Sequence, residues 1–308
     1  MESFNRKNLL ELRKMTIKEV EKYYLELRRY EYDNNIPLKN IELRKMIHLL
    51  LLQLIKIDRV LSHEKLTVIG DERVKSKNAK IYACTHIGGN DIQRTFEAIG
   101  DHAYLFIGDP KEVYIDLTGI ILRLNGAVAF ETKVDDDRKM AYDRSVELLS
   151  KGGNLLIYPE GAWNVTHNLP TMGLYKGTVR MSKETKADII PVAIEQYDKS
   201  FFVNIGKNIK YNPSVGIDEL NNKLRDEMAS LKWKIWEKHE GTRDEFDDDY
   251  IKNFSQNIVD RCEYDFTLED VYNDMYKDKD ITLPEEAYIV TPKEEYEMRK
   301  KLSRGYYY

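Results

Sequence analysis

Between residues 79 and 205 short apolar runs alternate with amphipathic stretches, and that alternation leaves few architectures open. Lys80–Cys84 (KIYAC), His102–Ile107 (HAYLFI), Ala127–Phe130, Asn154–Tyr158 (NLLIY), Asp188–Ile194 and Phe201–Ile205 read as strands. Asp91–Ile99, Lys111–Leu124, Asp135–Ser150 and Leu174–Thr185 read as helices between them, the second opened by Asp109-Pro110 and closed by Asn125-Gly126. Strands joined through helices by short connections run parallel, because each crossover must return to the same edge before the next strand starts. The expected fold is α/β: a largely parallel or mixed central sheet flanked by helices. Pro191 cannot donate to a ladder, so it is expected at a strand start or a bulge.

Both flanks lose this alternation. Residues 1–62 read as helices broken at Asn34, Asn35 and Pro37. Within them, Ile41–Leu61 has a broad apolar face flanked by Arg44, Lys45, Lys56 and Arg59. Its most lipid-like part, Met46–Ile57, contains His48, Gln53 and Lys56 and falls short of the roughly 20 apolar residues that span a bilayer. Two readings stay open: a helix packed on the main domain, or one lying in a membrane interface. Beyond residue 218 the chain is acidic and Tyr-rich, with Leu224, Met228, Leu231, Ile235 and Trp236 at helical spacing in Asn221–Glu240, and a solvated turn or helix start at 244–249. The division is therefore an N-terminal helical segment (1–64), an α/β core (65–217) and an acidic helical C-terminal extension (218–308).

The net charge of −5 is unevenly spread. Residues 1–80 carry 18 Lys/Arg against 12 Asp/Glu (+6), residues 81–217 carry 15 against 17 (−2), and residues 218–308 carry 15 against 24 (−9). The front suits an anionic partner such as a membrane surface. No nucleic-acid partner is expected, since no recognition motif accompanies the basic residues. Two cysteines, Cys84 and Cys262, make no disulfide framework and point to a reducing compartment. Residues 1–20 are charged throughout and lack the apolar block of a secretory signal.

Ligands of open α/β sheets bind beyond the carboxyl ends of the strands, and two segments place reactive side chains there. In Cys84–Asp91 (CTHIGGND), His86 follows a strand, two glycines allow a tight turn, and Asp91 starts the next helix. A carboxylate folded back onto one ring nitrogen fixes the tautomer and frees the other to take a proton. Asp91 as a plain helix cap is the rival reading. Tyr158-Pro159-Glu160-Gly161-Ala162-Trp163 follows the strand Asn154–Tyr158, with Glu160 in a rigid, exposed turn where it can accept hydrogen bonds from a polyol or position backbone amides; a solvated turn is the rival reading. Cys84 reads as a buried packing residue. No metal-ligand cluster is expected, and His167 is read as incidental.

These segments, in this order, resemble the glycerophospholipid acyltransferase family. His86 and Asp91 match its H-x4-D block, Gly126–Lys133 (GAVAFETK) its second block, Tyr158–Trp163 its F-P-E-G-T-R block and Ile189–Ile194 its apolar block around a proline. Gly173–Arg180 resembles the stretch between the last two, and the likeness covers about residues 65–210. The second block lacks its usual Arg, and Ala162-Trp163 stands where the third has Thr-Arg, positions the family associates with the acceptor's phosphate. Lys133, Arg138, Lys176 and Arg180 are the candidate replacement cations.

The resemblance implies transfer of a fatty acyl group from acyl-CoA or acyl carrier protein, as co-substrate rather than cofactor, to the hydroxyl of 1-acylglycerol-3-phosphate or a related lysophospholipid. It implies His86 as general base, Asp91 as its orienting partner, Pro159, Glu160, Gly161, Lys133 and Lys176 as substrate-binding residues, and Gly88 and Gly89 as suppliers of oxyanion donors. It also implies a cytoplasmic enzyme of phospholipid biosynthesis, peripheral at the inner face of the cell membrane. The rivals are a thioesterase or lysophospholipase using the same dyad, and a non-catalytic lipid-binding protein.

Overall fold

The computed structural model describes residues 4–36, 38, 40–166, 169–239, 248–260 and 267–271. Seven strands form one mixed sheet: β1 (Lys65–Asp71), β2 (Lys80–Cys84), β3 (Tyr104–Gly108), β4 (Ala127–Phe130), β5 (Leu155–Ile157), β6 (Asp188–Tyr197) and β7 (Ser200–Ile205), in the order β1-β7-β6-β2-β5-β3-β4. β2 to β6 run parallel; β7 returns antiparallel beside β6, and β1 pairs parallel to β7.

Alternate residues of the central strands enter two cores, because successive side chains leave opposite faces. Ile81, Ala83, Leu155, Ile157 and Ile189 meet α6 (Asp135–Ser150), α7 (Gly177–Thr185) and α8 (Ile217–Lys238). Tyr82, Cys84, Leu156 and Ile190 meet α4 (Asp91–Ile99), with α3 (Ile41–Leu61) and α5 (Leu117–Asn125) outside it. The helix after β2 thus lies on one face and the helix after β5 on the other. β2 and β5 are neighbours, and their carboxyl ends diverge into the crevice where such sheets bind ligands.

The sequence reading is corrected at two places and narrowed at a third. The helix expected over 111–124 is a 3-10 turn (Lys111–Tyr114) followed by α5, capped by Asp116 accepting from the Gly119 amide at 2.5 Å. Asp109 does not cap it, because its carboxylate accepts from the Thr132 amide and hydroxyl. β1 was not expected; its edge position leaves most of its side chains solvated, so it lacks an apolar signature. Of the two places expected for Pro191, the structure shows the bulge, inside β6. It lies between the Ile189–Ile209 bridge and the first β7 pair, Val192–Ile205, where the facing chain carries an extra residue and no amide is required.

A short helix, α1 (Leu9–Leu12), and a longer one, α2 (Ile17–Asp33), precede α3, each opened by a capping box. Arg28 of α2 fixes this layer to the core, donating to both oxygens of Asp137 (2.8 and 2.5 Å) and to Tyr114 Oη (2.7 Å). α3 is tied to α4 by Arg94, which is wholly buried and pairs with Asp58 and Glu64 at 2.6 Å each. Glu64 also accepts from Asn90, the residue before Asp91, at 2.8 Å.

A second tie between α3 and the sheet titrates. His48 Nδ1 lies 2.6 Å from Asn125 Oδ1, and His102 Nε2 lies 2.8 Å from the Asn125 carbonyl. Both partners accept, so each ring donates there, and the opposite nitrogen of each is buried without a hydrogen-bond partner among the described residues. Burial holds both imidazoles below their ordinary value of 6.5. The unfolded chain therefore binds protons near pH 6.5 that the folded chain refuses, so this contribution to stability is complete above that pH and is lost as pH falls. Thermal melts should show Tm declining from pH 7.5 to pH 5, with each unit of pKa displacement worth about 1.4 kcal/mol. His48→Gln should flatten that slope, and an unchanged slope would contradict the assignment.

At the C-terminal side, α8 lies along β6, with Lys232 donating to the Ile194 carbonyl and pairing with Glu195 at 3.0 Å. α9 (Asp248–Val259) and a helical turn at 268–271 follow. The turn expected at 244–249 falls largely outside the described residues, as do His167, Cys262 and the remainder of the extension.

Candidate active site

β2 ends at Cys84, and the chain turns sharply through Gly88 and Gly89, both at positive φ (81° and 60°), before α4 begins at Asp91. A side chain at Gly88 would also meet the Trp163 ring at 3.2 Å, so glycine serves both the turn and the close approach. The turn folds Asp91 back on His86. Asp91 Oδ2 lies 2.7 Å from His86 Nδ1 and accepts the amides of Ile87 (2.9 Å) and Gly88 (3.0 Å). Asp91 is 1% exposed, whereas the His86 side chain keeps 16%. With Nδ1 donating to the carboxylate, the lone pair is on Nε2, which has no hydrogen bond among the described residues. This is the orientation of a general base.

The imidazole is packed on two further sides. Tyr158, at the end of β5, stacks on it with centroids 4.2 Å apart and planes 29° apart. Trp163 meets it edge-on at 6.2 Å and 82°. Burial pushes the Tyr158 hydroxyl well above its ordinary range, so that ring is a neutral platform. The backbone is stitched across the same gap: the Asn164 amide donates to the His86 carbonyl at 2.8 Å.

Glu160 is not in the exposed turn expected of it. It is fully buried, and its carboxylate accepts the His86 amide on Oε1 (3.0 Å) and the Met172 amide on Oε2 (2.9 Å). It therefore braces the histidine's own backbone against the loop after β5. Pro159 is buried and accepts from the Tyr175 amide at 2.8 Å. Gly161, at φ 70°, leaves room for the Tyr175 ring, which a Cβ would meet at 2.3 Å. Cys84 is fully buried and burial pushes its thiol up, as suits a packing residue.

Of the remaining candidates, Gly88 spends its amide on Asp91. Lys133 is exposed after β4, two strands from β5. Lys176 pairs with Asp218 of α8 at 3.1 Å, and Arg138 with Asp135 at 2.6 Å. Tyr158 stacking, the Met172 amide and the packing of Trp163 on a cluster that holds Ile258, Val259 and Val271 were not anticipated. Only Trp163 left a trace in the sequence, as a departure from the third block.

A family model described as Acyltransferase matches residues 65–195, the stretch that holds His86, Asp91 and Glu160. Residues 65–195 thus carry an acyltransferase domain, and the chain resembles the glycerophospholipid acyltransferase family. It is an acyltransferase. A 1-acyl-sn-glycerol-3-phosphate acyltransferase of Borreliella burgdorferi is 23% identical over 186 residues, 58% of this chain and 72% of that protein. Among solved structures, PlsC, the 1-acyl-sn-glycerophosphate acyltransferase of Thermotoga maritima, shares the fold with a TM-score of 0.54 at 13% identity, covering 71% of this chain and 91% of that one.

Proposed function

We propose that this acyltransferase moves a fatty acyl group from a thioester carrier, acyl-CoA or acyl carrier protein, to the hydroxyl of a lysophospholipid, with 1-acylglycerol-3-phosphate the first acceptor to test. One observation carries the reading: a His86–Asp91 pair with Nε2 left open in the crevice beyond β2 and β5. The acceptor hydroxyl gives its proton to Nε2 as its oxygen attacks the thioester carbonyl. The tetrahedral intermediate then breaks its C–S bond, and the departing thiolate takes the proton back from the imidazolium, which Asp91 stabilises. No group on the enzyme needs to be acylated. The oxyanion calls for backbone donors; of the two glycines, Gly89 is the one whose amide is not committed to Asp91. Glu160 serves this chemistry by holding the His86 backbone. Purified protein should acylate a lysolipid with at least one of the two carriers, and failure across a panel of lysolipid and polyol acceptors with both would contradict the reading.

The work takes place at a membrane surface, on the inner face of the cell membrane. Support comes from α3, which carries both characters that its sequence left open. Its inner side buries His48, Leu51 and Leu52. Its outer side exposes Leu43, Met46, Leu50, Leu54, Ile57 and Leu61 at three- and four-residue spacing, each more than half exposed, and Leu124 of α5 is exposed as well. No helix among the described residues is long and apolar enough to cross a membrane. An apolar stripe on a basic segment suits a helix lying in the interface. Leu50→Glu with Leu54→Glu should weaken sedimentation with phosphatidylglycerol vesicles by roughly a hundredfold, two leucines each being worth about 1.5–3 kcal/mol of burial. Unchanged vesicle binding by the folded variant would remove α3 as the anchor.

A further inference from the structure

The loop after Glu160 packs against the far end of the chain. Its residues Ala162, Val165 and Met172 form an apolar cluster with Ile258 and Val259 of α9 and with Val271, and Trp163, Phe254 and Leu268 pack at its edge. Ser255, 1% exposed, donates its hydroxyl to the Val165 carbonyl at 2.8 Å. The Asp270 carboxylate is lowered first by the Thr267 amide and further by the charges of Lys111 and Lys133. Those lysines follow β3 and β4, whereas the packing of Val271 and Leu268 is with the loop after β5.

Trp163 joins this cluster to the site. Its ring packs on the cluster, meets the His86 imidazole edge-on and lies over Gly88. The next residue, Asn164, bonds the His86 carbonyl. Asp91 fixes the imidazole at one atom and Tyr158 on one face; Trp163 is the third group beside it.

We propose that the C-terminal extension is a working part of the acyltransferase site: α9 and residues 267–271 clamp Trp163 against His86, and Trp163 is a positioning residue that sets the angle of the base. This rests on His86 being that base. The energetic demand is real, since a displacement of about 1 Å at the reacting groups costs on the order of 100-fold in rate.

The test uses the full chain with Trp163→Ala, Trp163→Phe, Ile258→Ala and the milder Leu268→Ala. Steady-state transfer is measured with kcat and KM separated, and diethyl pyrocarbonate modification of His86 is followed by mass spectrometry. Trp163→Ala and Ile258→Ala should each lower kcat roughly tenfold or more with KM little changed, and Trp163→Phe should keep most of the activity. The Trp163→Ala/Ile258→Ala double variant should be no slower than Trp163→Ala, because both act through one ring. The His86 modification rate should change at least threefold in both single variants and move in the same sense in Leu268→Ala. Unaltered His86 reactivity in folded Ile258→Ala and Leu268→Ala, or additive kcat losses in the double variant, would overturn the clamp. The modification arm needs no turnover, so a wild-type protein that transfers no acyl group would refute the function and still leave the clamp decided.

Discussion

His86→Ala should lower kcat/KM for acyl transfer by about 10²–10⁴-fold, the range a positioned general base contributes. The loss should fall on kcat, because proton removal is an interaction of the transition state and not of bound substrate. Melting temperature should change little: the imidazole is part-exposed and its one side-chain hydrogen bond goes to Asp91. Asp91→Asn should separate the two duties of the carboxylate. The remaining amide oxygen can still accept the Ile87 and Gly88 backbone donors, but it cannot stabilise an imidazolium, so activity should fall on the order of 100-fold while the turn persists. Transfer by purified His86→Ala at the wild-type rate would remove His86 from the chemistry.

Glu160→Ala should produce a large effect of a different kind. Its carboxylate is the acceptor for two buried amides, those of His86 and Met172, and removing it leaves both unpaired. At about 1–3 kcal/mol for each unsatisfied buried donor, the expected loss is roughly 2–6 kcal/mol. That corresponds to a Tm lower by on the order of 5–15 °C. Activity should fall with it, because the His86 backbone loses its brace. Glu160→Gln keeps one acceptor oxygen and turns a donor toward the other amide, so it should recover part of the stability and no more. The alternative role, holding the acceptor's head, makes the opposite prediction: an unchanged Tm with a raised KM for the acceptor. Thermal melts of Glu160→Ala beside His86→Ala separate the two, since only the former should melt early.

How much of this was legible in the sequence follows from how local each feature is. The central strands are visible because both their faces are buried, so KIYAC and NLLIY are apolar at successive positions. β1 escaped notice because an edge strand with charged ends and mostly solvated side chains looks like a loop. The helix over 111–124 was misplaced because Asp109 had two roles on offer, and a contact 23 residues away, with Thr132, won over capping. The His86–Asp91 pair was legible since one turn of five residues makes it. Glu160 stands out in the sequence, yet its burial depends on Met172 folding back over it, which no spacing rule reveals. The candidate cations went the same way: Lys176 and Arg138 each have a carboxylate partner whose nearness is fixed only by tertiary packing or helix phase. The cluster behind Trp163 left no sequence signal at all, because its two halves lie more than 80 residues apart.

The most direct test of the central claim follows the acyl group itself. Purified protein is given a thioester carrying a labelled acyl chain together with a lysophospholipid on anionic vesicles, and the label is partitioned between diacyl product and free fatty acid. The account predicts label in the diacyl lipid, dependent on the acceptor and abolished by His86→Ala. Label released as free fatty acid at the same rate with and without every acceptor would contradict it, and would make the His86–Asp91 pair the base of a hydrolase.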